Sequence, residues 1–296
     1  MTPVAARALR RLRHDRPALL GVAVLLAMIG AAALAPWLFQ DPEAMDLTAL
    51  FAPPSAEHWL GTDELGRDVL ARLAHGGRVS LAVAGATAVL AAVFGTALGL
   101  LAGYHGGRLD ALLMRLTDGV MALPLLPLLI VLAAVDPAKL GIPPESMGDE
   151  AFAIGRIVVI IAAVGWTTVA RLVRAQTLSV KARDYVRAAT AIGASPGRVM
   201  RRHILPNVAS PIVVAVTLSV GNIVLVESAL SFLGLGIRPP LASWGNMLTG
   251  AMTVVWSAPA QALWPGLAIF LTVLSANMVG DGLQRALDPR AGDAEF

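Results

Sequence analysis

The chain has 296 residues, a formal net charge of +3, a hydrophobic fraction of 56%, a charged fraction of 15% and a mean hydropathy of +0.70. Ordinary soluble domains carry roughly 25% charge, so a single soluble core is excluded; with no cysteine, so are disulfides, thiolate nucleophiles and cysteine zinc sites. The sequence pI near 9.9 does not imply nucleic acid, because the cations flank apolar runs, where membrane chains place them.

Arg7, Arg10, Arg11, Arg13 and Arg16 precede the first apolar run, Ala18–Phe39. This resembles a signal peptide, but the run exceeds the usual core of about 7–15 residues. Cleavage after Ala35 would also leave Pro36 just beyond the bond. We read residues 1–17 as a cytoplasmic N-terminus and 18–39 as an uncleaved span. Apolar runs of helical length recur at Val79–Gly103, Leu116–Val135, Ile157–Val173, Val208–Leu230 and Leu263–Leu283. Crossing about 30 Å of hydrocarbon takes about 20 residues of helix, and backbone groups in lipid must be satisfied within the segment. The expectation is an all-α polytopic membrane protein with six transmembrane helices. The runs are continuous rather than alternating, which disfavours a β-barrel.

Loop charges orient the spans. The 40–77 loop is acidic, with Asp41, Glu43, Asp46, Glu57, Asp63, Glu64 and Asp68 against Arg67 and Arg72. Arg108 and Arg115 lie in the next loop, Lys139 alone in the one after, and Arg238 alone between residues 231 and 259. Arg285 and Arg290 follow the last span. Every loop agrees with positive charge inside, both termini cytoplasmic, and a first loop outside. The natural division is a first span with its extracytoplasmic loop, a five-span body at 78–285, and a cytoplasmic tail at 286–296.

Within the body, Gly95, Gly99 and Gly103 recur every four residues after Thr87 and Ala91. Small residues on one face let helices approach closely. Packing within the chain is preferred over a subunit contact. Pro124 and Pro127 predict a kink in the third span. Asn222 and Glu227 are polar groups in the fifth span, expensive in lipid, and are candidates for a water-filled path. Glu227 could instead reach the outer interface. Asn277 and Asp281, near the inner end of the last span, are read as solvated.

The segment Arg171–Asn207 concentrates Arg171, Arg174, Lys181, Arg183, Arg187, Arg198, Arg201 and Arg202. It is too long and too patterned for a mere connection. Asp184 is read as N-cap of a short helix over Tyr185–Ile192, with Gly193 as its stop. Ser195 is read as cap of a second helix with Pro196 at its first position, ended by Pro206. Val186, Ala189 and Ala191–Ile192 would form a small apolar ridge, either packed on the bundle or presented to a soluble partner. Gly193-Ala194-Ser195-Pro196-Gly197 matches the G-x-S-x-G hydrolase pattern. However, helix rather than strand precedes the serine, and Pro196 lacks the N–H an oxyanion hole needs. His14, His58, His75, His105 and His203 show no metal-ligand spacing. Neither lysine, Lys139 or Lys181, lies in a G-x-x-x-x-G-K-[ST] loop. Any ATP hydrolysis serving this chain belongs on another.

The stretch DYVRAATAIGASPGRVMRRHILP from Asp184 resembles the cytoplasmic signature loop of binding-protein-dependent ABC importer permeases. Ala188, Ala189, Gly193 and Pro206 fill its alanine pair, glycine and later proline. Arg187 stands where that loop usually carries an acid. HWLGTDELGRDVLARLAHGGRVSL from His58, GYHGGRLDALLMRLTD from Gly103, ESALSFLGLGIRPPLASWGNML from Glu227 and GDGLQRALDPR from Gly280 resemble the dipeptide, oligopeptide and nickel branch. The extended first outer loop is similar to the second of its two permease subunits. The resemblance implies a type I importer permease fold in a bacterial inner membrane. It implies as partners a homologous permease, two cytoplasmic ATPases that hold ATP and magnesium, and an extracytoplasmic solute-binding protein. No cofactor is expected on this chain. The segment 174–207 would carry the ATPase-coupling helix, with Asp184, Tyr185, Arg187, Ala188, Ala189, Ile192, Gly193, Ser195 and Pro206. Peptides are the expected cargo class, with nickel, glutathione-like compounds and oligosaccharides as alternatives. An ion-driven secondary transporter is the rival reading. It would predict inverted repeats and paired membrane carboxylates, and Glu227 is the single candidate seen.

Overall fold

Glycine decides how the longest helices pack. In the computed structural model, which describes residues 11–143, 145 and 149–287, α1 covers Arg16–Leu38 and α2 covers Val69–His105. Then come α3 (Gly107–Ala122), α4 (Leu125–Ala134), a 3-10 turn (Pro137–Leu140) and α5 (Glu150–Lys181). The chain ends in α6 (Asp184–Ala191), α7 (Pro196–Phe232), α8 (Trp244–Met252) and α9 (Ala260–Leu287). Among the described residues the protein is helical, with one isolated bridge, Thr62 to Asp68. Arg7, Arg10 and Arg290 lie outside the described residues.

α2 packs most extensively on α5. A Cβ on Gly95 would lie 2.6 Å from Trp166 O, one on Gly99 2.5 Å from Ala170 O, and one on Gly103 2.7 Å from Thr177 Cβ. The three-glycine stripe is therefore an intramolecular contact, and the two helices run parallel along it. α9 lies between α1 and α7. Gly21 of α1 meets Ser275 O and Gly280 of α9 meets the Leu218 side chain. Asp15 caps α1 by accepting from Ala18 N at 3.2 Å, and Arg285 Nη2 reaches it at 2.7 Å. Those two donors hold the Asp15 carboxyl below the usual carboxylate range. The pair brings the two described chain ends to one end of the bundle.

Among the described residues, five helices are long and apolar enough to cross a membrane, and α3 with α4 supplies a sixth crossing only as a broken span. The sequence predicted one kinked helix over Leu116–Val135. Instead α3 and α4 meet at 92°. Pro124 lacks an N–H and pushes the residue before it out of helical geometry, so Leu123 sits at φ −80°, ψ 138°. Pro127 falls in the first turn of α4, where proline is tolerated. α3 also begins at once after Gly106, so most of the predicted inner loop of 104–115 is helix. Likewise α2 starts at Val69, ahead of the predicted Val79, because the Asp68 carboxylate caps it by accepting from Ala71 N at 2.7 Å.

The far end is a folded cap. Asp63 accepts from Arg67 Nε at 2.8 Å and Arg72 Nη1 at 2.6 Å, and all three side chains are buried. Gln261 Nε2 donates to Thr62 O at 2.7 Å, tying this loop to α9. α8, which the sequence reading took for loop, begins with a reciprocal capping box between Ser243 and Asn246. Its Trp244 lies over Gly77, where a Cβ would come 2.9 Å from the indole, and donates to Leu73 O at 3.0 Å.

Gly99→Val should lower the midpoint of thermal aggregation in detergent, because overpacking of this kind costs about 1–3 kcal/mol. Gly85→Val, on the same helix with open space around it, should leave the midpoint unchanged. Equal behaviour of the two variants would mean that the α2–α5 contact does not govern stability.

Candidate functional site

Two features stand out, a segment at the end carrying Asp15 and Arg285, and a cavity beside α7. In the segment, Arg183 occupies the N-cap of α6, and Val186 N and Arg187 N donate to its carbonyl at 3.0 and 3.1 Å. Asp184 is the first helical residue, not the cap predicted from the sequence. There it still complements the helix dipole. The far end is as expected and more tightly built. Gly193 sits at φ +88°, its N–H donates to Thr190 O at 3.0 Å, and Ala194 N donates to Ala189 O at 3.1 Å. This pair of bonds is the Schellman stop, which a residue with a Cβ fills only under strain.

The predicted apolar ridge splits in two. Val186 and Ala189 are buried, with Val186 in a cluster with Val180, Val199, Ile204 and Val208. They anchor α6 to the chain's own bundle. Tyr185, Arg187, Ala188 and Ala191 face outward, and Ile192 is 87% exposed. Ser195 has the extended backbone of an N-cap but makes no side-chain cap bond, and Pro196 takes the first helical position. Pro206 does not end the helix that follows. The helix widens into a π turn at Met200–Ile204, with Leu205 N donating to Met200 O, and then continues. The wider turn makes room for a proline ring and its missing donor, so α7 runs through to Phe232.

The cavity, about 500 Å³, lies between α3, α4, α5 and α7. Its walls are mainly apolar, and its polar groups are Thr167, Thr168, Ser219 and Asn222. Thr167 and Ser219 hydroxyls donate back to Val164 O and Val216 O, at 2.9 and 2.7 Å. Asn222 is exposed to the cavity. Thr168 and Ser219 were missed, since hydroxyls in helices ordinarily bond their own backbone and give no sequence signal.

Glu227 lies elsewhere. It is fully buried and lines neither the cavity nor the outer interface. Ser231 Oγ donates to it at 2.8 Å and Ser228 Oγ approaches at 3.5 Å, while the Ser80 and Ser243 side chains lie beside it. Those serines in turn accept backbone N–H groups: Ser231 from Ile237, Ser80 from Trp244, Ser243 from Asn246. Its place in a path is therefore not supported in this conformation. Its role here is to pin the 233–246 loop to α2 and α7. Asn277 and Asp281 are exposed, as predicted. Among the described residues no group of His, Cys, Asp or Glu is arranged to hold a metal.

Comparison with known proteins agrees with this architecture. Residues 95–293 match the family described as binding-protein-dependent transport system inner membrane component. Residues 4–54 match the N-terminal TM domain of oligopeptide transport permease C. The chain is 41% identical to a putative peptide permease protein of Brucella suis, over 97% of this chain and 91% of the relative. It is 39% identical to the dipeptide transport system permease protein DppC of Bacillus subtilis, over 95% of this chain and 84% of the relative. For the oligopeptide transport system permease protein OppC of the same organism the values are 36%, 96% and 88%.

Because the chain contains no cysteine, thiol labelling can report on the cavity directly. Asn222→Cys should react with a hydrophilic maleimide in the folded protein. Val224→Cys, fully buried on the same helix, should react only after denaturation. Failure of the first to label would place Asn222 in packing.

Proposed function

The chain belongs to the family of binding-protein-dependent transport system inner membrane components and is a permease subunit of an ABC importer; from that premise we propose that it forms half of a path for peptides and takes its drive from ATPases docked on α6. Like its family it is a multi-pass membrane transport protein and not an enzyme. The supporting observation is α6 itself. One face is buried in the bundle, and the other offers Tyr185, Ala188 and Ile192 to solvent beside a conformationally fixed glycine turn. Tyr185 and Ile192 together give that face apolar surface that a cleft on a soluble ATPase would cover.

Arg171 through Arg202 lie at the same end as both described termini, and a surplus of cations belongs on the cytoplasmic face. We therefore assign α6 and both termini to the cytoplasm of a bacterial inner membrane. The Asp63–Arg72 cap then faces a solute-binding protein. The cavity would be one half of the path, completed by a homologous permease. ATP and magnesium would reside on the ATPases, whose closure and reset drive alternating access. Peptide cargo rests on the relatives' names and on a neutral cavity, mainly apolar with the Asn222 amide among its few polar groups.

Gly193→Val should leave membrane insertion and permease pairing intact, because the site is open, yet strain the turn by about 1–2 kcal/mol. Together with Ile192→Arg it should weaken ATPase retention on affinity purification or uncouple hydrolysis from uptake. Normal ATPase stoichiometry and uptake in both variants would reduce α6 to a surface helix.

Topology is checked separately. Reporter fusions at Ala56 and Ser257 should be active outside the cytoplasm, and one at Lys181 inside. A cytoplasmic signal at Ala56 would reverse the assignment.

A further inference from the structure

The helix that closes one side of the cavity is not held by a core. In α3 the only buried residue is Thr117, and its hydroxyl bonds its own helix, to Leu113 O at 2.8 Å. Leu109, Leu112 and Leu116 are exposed, and Gly119 has open space around it. By contrast α4 is anchored, with Leu129 and Ala133 buried and Arg156 donating to Ala133 O and Val135 O. Between α3 and α4 the chain is extended at Leu123–Pro124, so the two can pivot without breaking a shared helical bond.

What ties α3 to the bundle is charge. Arg174 of α5 grips Asp110 with both Nε and Nη2, the latter at 2.6 Å, and Arg171 Nη2 reaches Asp118 at 2.8 Å. The first pair is bidentate and partly buried, the geometry in which such pairs are strong. The second is exposed and contributes less. Both arginines sit on the last turns of α5. Two residues later comes α6, whose Val186 packs in one cluster with Val180 of α5. At its other end α3 places Val120 and Met121 on the cavity wall. A continuous chain of contacts therefore runs from α6 through α5 and the ion pairs to the cavity.

We propose that the Asp110–Arg174 pair, assisted by Asp118–Arg171, is the mechanical link between α6 and the cavity wall, with α3 as the moving arm and Leu123–Pro124 as its hinge. Displacement of α6 shifts the end of α5, the salt bridge carries α3 with it, and the cavity wall opens or closes. Asp110 and Arg174 are positioning residues that act on cargo through α3. The inference rests on the reading of α6 as the ATPase-facing segment, but it concerns a different step: transmission rather than docking.

The test uses the assembled transporter with its ATPases, partner permease and binding protein in proteoliposomes. Asp110→Arg and Arg174→Asp should each retain ATPases at normal stoichiometry and hydrolyse ATP, yet lower cargo taken up per ATP by about tenfold. The double exchange, which restores the pair in reverse, should recover most of that ratio. A second measurement avoids doubts about folding. With cysteines at 110 and 174, a reducible cross-linker spanning the gap should restore coupling when attached, and reduction should abolish it again in the same protein. Unchanged uptake per ATP in the single variants would overturn the link. So would failure of both the reversed pair and the cross-link to restore it in an assembled complex. Loss of ATPases from Gly193→Val bears only on docking, so the two inferences can fail separately.

Discussion

The close approach of α2 and α5 is the contact on which the rest depends. Lipid tails are as apolar as leucine, so burial in water's sense cannot hold two spans together; close packing must. Glycines at 95, 99 and 103 bring backbone of α2 against backbone of α5 at positions where any Cβ would collide with a carbonyl or side chain. The pairing fixes the direction and register of α5. That in turn sets where Arg171 and Arg174 emerge, where α6 leaves the bundle, and which face of α5 borders the cavity.

The polar groups inside the bundle work in the opposite way. Each holds something that packing alone leaves loose. Glu227 and its serines pin a loop rich in glycine and proline onto α2 and α7, converting side-chain hydroxyls into acceptors for three backbone N–H groups. Asp63 bridges two buried arginines, and Glu64, 3.2 Å from Arg67, supplies the second negative charge, so the outer loop is cross-tied. Removing Asp63 would strand two buried guanidinium groups, at a cost of about 3–5 kcal/mol. The rigid far end and the lightly packed α3 near the cavity are thus two halves of one arrangement. The cap is cross-tied by buried side-chain bonds, whereas the arm is held mainly by its two ion pairs.

At α6 and the turn that ends it, local chemistry and tertiary packing divided the work. The Schellman turn at Gly193 follows from a glycine after a short amphipathic helix, and Pro196 from its place at a helix start. Which side of α6 is free does not follow from these. Ala188 and Ala189 are adjacent and chemically identical, yet one is exposed and the other buried. Only the position of the hydrophobic cluster around Val180 and Val199 distinguishes them.

The sequence by itself determined the helical class, the approximate crossings, the glycine contact and the turn at Gly193. Each is set by composition, spacing or backbone geometry within one turn or one span. It misplaced the cap of α6, the run of α7 through Pro206, the start of α2, the depth of the break at Pro124 and the setting of Glu227. Those depend on partners distant in the chain or on a local alternative of similar energy. A π turn can absorb a proline that otherwise stops a helix, and a carboxylate can be sealed by hydroxyls from three elements. The tertiary structure alone decided that Asp110 meets Arg174, 64 residues away, because no local pattern records which charges two helices will bring face to face.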